Sequence, residues 1–131
     1  MAEKLTIIGI DPGTIVCGYG VIQVRGQDAK VLDYGVVKQR KGELPERLLA
    51  IHKGLRVIFE RFEPDVAAVE GAFYGKNART ALKIGEARGM VLTTAGAAGC
   101  TIEEYAPATV KKSVVGNGRA RKYQVQEMVR A

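Results

Sequence analysis

The chain has 131 residues, 47% of them hydrophobic, with 20 Lys and Arg against 14 Asp and Glu, a formal net charge of +6. One histidine (His52) and two widely separated cysteines (Cys17 and Cys100) leave almost no material for a Ser–His or Cys–His nucleophile or a zinc site. No apolar run approaches a membrane span, and the length suits a single domain over residues 1–131 with one sizeable core.

The basic balance favours a polyanionic partner, although a charged stretch is often only a solvated face. Met1-Ala-Glu-Lys leads straight into an apolar segment, so no signal peptide is expected and the protein reads as cytoplasmic. Cys17 and Cys100 read as small buried residues of a reduced compartment, and His52 as a solvated position on a helix.

Leu5 to Asp11 is a short apolar run that ends in a carboxylate and turns on Pro12-Gly13, the pattern of a buried strand. Pro12 biases Asp11 towards extended geometry, which places the carboxylate at a strand end. Gly18–Val24 predicts a second strand, Arg25–Asp28 a turn, and Lys30–Val37 a third strand of a meander. Leu44, Leu48, Ile51, Leu55, Ile58, Phe59 and Phe62 recur at helical spacing between Pro45 and Pro64, which predicts an amphipathic crossover helix. Arg47 falls among the polar residues mostly on its outer face.

Asp65–Glu70 repeats the first pattern, an apolar run closing on a carboxylate and then Gly71. Residues 77–96 predict a second helix whose Gly85 and Gly89 imply close packing, in the core or against another subunit. Thr101–Tyr105 predicts a fifth strand. Two short helices are expected near 107–115 and 122–131, with Gly116-Asn117-Gly118 as a turn between them. The order predicts an α/β fold, a mixed five-stranded β-sheet flanked by α-helices on both faces. Neighbouring strands ending in Asp11 and Glu70 would bring two carboxylates together. That arrangement suits a divalent cation with oxygen ligands, Mg2+ or Mn2+, while the plainer alternative is a turn-former and a surface acid.

This order resembles the RNase H-like fold, and six blocks resemble the RuvC family of bacterial Holliday junction resolvases in particular. They are Ile10-Asp11-Pro12-Gly13-Thr14 with Gly18-Tyr19-Gly20, Val69-Glu70-Gly71-Ala72-Phe73, Ala81 to Gly89, Tyr105-Ala106-Pro107, Val110 to Gly116, and Lys122 to Gln126. The resemblance covers essentially the whole chain. It implies a homodimer that cuts four-way junction DNA by paired symmetric nicks, with two metal ions per active site and a branch-migration motor (RuvA–RuvB) as partner. Asp11 and Glu70 match metal-binding acids, and Lys111 and Lys122 match basic residues beside the scissile strand. Phe73 matches an aromatic that wedges against bases.

Tyr74, Lys76, Arg79, Lys83, Lys112, Arg119 and Arg121 are further candidate DNA contacts. The helix at 77–96 resembles the family's dimer helix. The family's other two acids are an Asp pair three apart on a C-terminal helix. No such pair precedes Ala131, and Glu103, Glu104 and Glu127 match nothing in the motif, so the sequence is expected to stop before that helix. Rival readings are a junction-binding module without catalysis, a YqgF-like nuclease of the same fold, and an actin-like ATPase. The last needs a second domain for which 131 residues leave no room.

Overall fold

The structure is a computed structural model and describes residues 3–70 and 77–105. Strands β1 (Lys4–Asp11), β2 (Val16–Arg25) and β3 (Asp28–Lys38) form the antiparallel meander. Helix α1 (Leu44–Phe62) crosses to β4 (Val66–Glu70), and α2 (Ala78–Ala97) crosses to β5 (Thr101–Tyr105). The sheet order is β3-β2-β1-β4-β5, with β1, β4 and β5 parallel. The mixed five-stranded sheet expected from the sequence is therefore present.

Strand alternation decides what each face buries. Thr6, Ile8 and Ile10 of β1 point to the helices with Ala67 and Val69 of β4. Helix α1 returns Ile51, Leu55, Ile58 and Phe59 to that layer, and α2 returns Ala87, Val91, Thr94 and Ala95. Burying Ile51 or Leu55 fully, as here, contributes about 1.5–3 kcal/mol each. Both described helices pack against each other on this one face. The expected helices near 107–115 and 122–131 lie outside the described residues.

Local chemistry sets the helix ends. Pro45 occupies the first turn of α1, and the Glu46 carboxylate accepts from the Glu43 N–H. Glu63 ends α1 in the left-handed region at φ 45°, just before Pro64. The Asn77 side chain caps α2 by accepting from the Thr80 N–H. Gly54 lets α1 sit close on β3, because a Cβ there would come within 2.5 Å of Val37 Cγ1.

His52 is not a solvated residue. It is half-buried between the helices, and its Nδ1 lies 2.7 Å from Thr94 Oγ1 of α2. The Thr94 hydroxyl donates to the Met90 carbonyl, so it accepts from His52. The position flanks the Ile51–Leu55 stripe on the side where α2 packs, which a single helix pattern does not reveal.

Candidate functional site

The register of β1 against β4 builds the site. Ile7 pairs with Val66, Ile8 with Ala67, Gly9 with Ala68 and Ile10 with Val69. Asp11 and Glu70 are the next residue on each strand and end it. Neighbouring strands lie about 4.8 Å apart, and by alternation both carboxylates leave on the face opposite Ile10 and Val69. Asp11 is exposed and Glu70 half-buried.

The turn after Asp11 is tightly specified. A Cβ on Gly13 would stand 1.9 Å from the Val16 carbonyl oxygen, so only glycine fits this backbone. Cys17 lies beneath the turn and takes a hydrogen bond from the Gly13 backbone. Burial, with the nearby Asp11 charge adding to it, pushes the Cys17 thiol up to about 12. It is neutral near pH 7 and unsuited to nucleophilic work.

A side chain on α1 ties this turn down. Arg47 Nε donates to the Thr14 carbonyl at 3.1 Å, and its Nη1 donates to the Gly42 carbonyl at 2.8 Å. The Gln39 N–H donates to the Ile15 carbonyl at 2.9 Å. Where the helical pattern puts Arg47 mostly on an outer face, the structure makes it the clamp between the Asp11 turn and the start of α1. Nothing in its pattern distinguishes it from a solvated arginine.

Both helices point their N-termini at this edge, which adds partial positive charge. Arg79 and Lys83 are exposed one turn apart at the start of α2. Glu104 forms an ion pair with Arg88 of α2, so it has a packing role beside the edge. Phe73, Tyr74, Lys76, Lys111, Lys112, Arg119, Arg121 and Lys122 lie outside the described residues.

The donor set fits a hard divalent cation in part. Two strand-end carboxylates supply oxygen ligands of the kind Mg2+ and Mn2+ take. Among the described residues no group of three or more His, Cys, Asp or Glu converges on one point. Asp11 and Glu70 are thus a pair, and further ligands have to come from water, phosphate or residues outside the described set.

Comparison with known proteins gives a family model and similar relatives for this chain. The family model described as Crossover junction endodeoxyribonuclease RuvC matches residues 7–131. The chain is 44% identical over 128 residues to the crossover junction endodeoxyribonuclease RuvC of Moorella thermoacetica, covering 97% of this chain and 77% of the relative. It resembles a Thermus thermophilus RuvC structure with TM-score 0.75 and 37% identity, over 96% of this chain and 78% of that one. It also resembles T. thermophilus RuvC in complex with Holliday junction substrate, with TM-score 0.74 and 33% identity over 86% and 71% of the two chains. A strand-end carboxylate pair on this five-stranded sheet, together with a match over nearly all of its length, shows that the chain belongs to the RuvC family of crossover junction endodeoxyribonucleases.

Proposed function

We propose that this chain binds four-way DNA junctions as a homodimer and nicks two opposing strands by metal-dependent phosphodiester hydrolysis. The observation that carries the reading is the register that ends β1 on Asp11 and β4 on Glu70, in a chain of the RuvC family. A RuvC 33% identical to it was solved with a Holliday junction substrate.

Mg2+ or Mn2+ held at this edge would supply an activated water and neutralise charge on the leaving oxygen. Asp11 and Glu70 would hold the metal, and Glu70 would also orient the attacking water. The Arg47 clamp fixes the turn that carries Asp11. Lys111 and Lys122 stand beside the scissile phosphate, and Phe73 wedges against bases at the junction centre with Tyr74 next to it. Lys76, Arg79, Lys83, Lys112, Arg119 and Arg121 take phosphates.

The outer face of α2 supports the dimer. Leu82 is 66% exposed, and nothing within 4 Å meets a Cβ built on Gly85 or Gly89. These glycines therefore make no close approach within the described chain, and a partner helix can use them. Two sites related by a twofold axis suit two symmetric cuts, in the cytoplasm and alongside a branch-migration motor. The test is a gel assay with a labelled four-way junction and a matching linear duplex, in Mg2+ and in EDTA. Paired junction nicks that EDTA abolishes support the reading; no preference for the junction over duplex overturns it.

A further inference from the structure

The end of β3 and the loop from it to α1 concentrate positive charge at the carboxylate end of the sheet. Lys38, Arg40 and Lys41 are all exposed, and none is in an ion pair among the described residues. Three cations within four positions repel one another, so an anion from outside the chain relieves them. Their placement is set by register. Asp11 pairs with Gly18, and Gly18 pairs with Val36. Val36 is therefore level with Asp11 two strands away, about 9.6 Å, and Lys38 lies one two-residue step further past the edge.

The loop is braced against the Asp11 turn. The Gln39 N–H reaches the Ile15 carbonyl, and Gln39 Nε2 donates to the Lys41 carbonyl at 3.1 Å. Arg47 spans the carbonyls of Thr14 and Gly42, and Gly42 takes φ 100°, a conformation that favours glycine. The basic loop and the carboxylate turn are thus one unit. A strand held by the loop sits at a fixed offset from Asp11, on the scale of about three nucleotide steps at 3.4 Å rise each.

We propose that Lys38, Arg40 and Lys41 form a phosphate-binding ledge for the DNA arm beside the carboxylate edge. This rests on the junction-binding reading above and adds a contact surface to it. The sheet supplies its own control, because Lys4, Arg25 and Lys30 are also exposed, at the opposite end.

The experiment measures junction affinity by fluorescence anisotropy against salt concentration in EDTA, so that nicking plays no part. Wild type is compared with Lys38→Gln/Arg40→Gln/Lys41→Gln and with Lys4→Gln/Arg25→Gln/Lys30→Gln, which change net charge equally. The ledge variant is expected to lower the slope of log affinity against log salt by about 2.7, at ~0.9 per phosphate contact, and the far-end variant by less than ~0.5. Arg40→Gln alone, expected to lower it by ~0.9, serves if the triple variant folds poorly. Equal changes in the two triple variants, or none in either, overturn the ledge and leave the junction-binding reading standing. A wild-type chain that does not bind the junction overturns both.

Discussion

Asp11 and Glu70 follow a directly paired Ile10 and Val69, so two carboxylates end adjacent parallel strands at one edge of the sheet. By alternation both carboxylates leave on the same face, oxygen ligands of the kind a hard divalent cation takes. The same edge receives the N-termini of α1 and α2 and the Arg47 clamp. Acid at the centre and positive charge around it suit a metal ion and a phosphate backbone together.

Divalent metal is expected to stabilise the fold through this pair. Mg2+ or Mn2+ at a hundred times its dissociation constant adds about 2.7 kcal/mol. Thermal melts of wild type with and without metal are expected to differ by several degrees. Asp11→Asn removes most of that difference, and an undiminished shift in the variant would place the bound metal elsewhere.

Two glycine substitutions separate site geometry from packing. Gly13→Ala drives a Cβ against the Val16 carbonyl, so the Asp11 turn has to move. Junction nicking is expected to fall at least ~10-fold, since small misplacements of reacting groups are costly. Gly54→Ala meets first the Val37 side chain. It is expected to cost about 1–3 kcal/mol in urea unfolding and to leave the nicking rate per folded molecule near wild type.

Removing the clamp tests positioning. Arg47→Met leaves the Thr14 and Gly42 carbonyls without their donor, and Arg47→Lys can serve only one of them. Single-turnover nicking at saturating junction is expected to drop about 10-fold or more in Arg47→Met and less in Arg47→Lys, with junction affinity in EDTA little changed. A rate that falls only in step with the folded fraction would make Arg47 a structural residue alone.

Cys17 gives a pH signature. Burial raises its folded-state pKa from 9.0 to about 12, so the unfolded chain loses this proton first. Its contribution to stability is full below pH 9 and is lost between about pH 9 and pH 12 as pH rises. Under native conditions at pH 8, maleimide is expected to label Cys17 far more slowly than after unfolding, read by mass spectrometry of the labelled peptide.

Much of the fold is legible in the sequence. Runs such as Leu5–Asp11 and Asp65–Glu70 show strands because buried parallel strands are apolar throughout, and the Leu44–Phe62 stripe shows its helix by period. Asp11 and Glu70 stood out because each ends such a run. Their adjacency depends on β4 pairing with β1, a non-local choice that local pattern does not encode. Arg47 and His52 were misread for a related reason. Both occupy polar positions on an amphipathic helix, and only the packed neighbours, the Asp11 turn and α2, turn them from solvated residues into tethers. Lys38, Arg40 and Lys41 give no signal of their own, because a short basic loop looks the same at either end of a sheet.

The most direct measurement follows a labelled four-way junction with wild type, Asp11→Asn and Glu70→Gln in Mg2+, scoring nicks and bound complex separately. Wild type is expected to make paired, symmetric nicks, and each variant to lose at least ~100-fold in nicking rate while binding the junction as tightly as wild type in EDTA. Nicking at the wild-type rate in either variant would contradict a metal site built on Asp11 and Glu70.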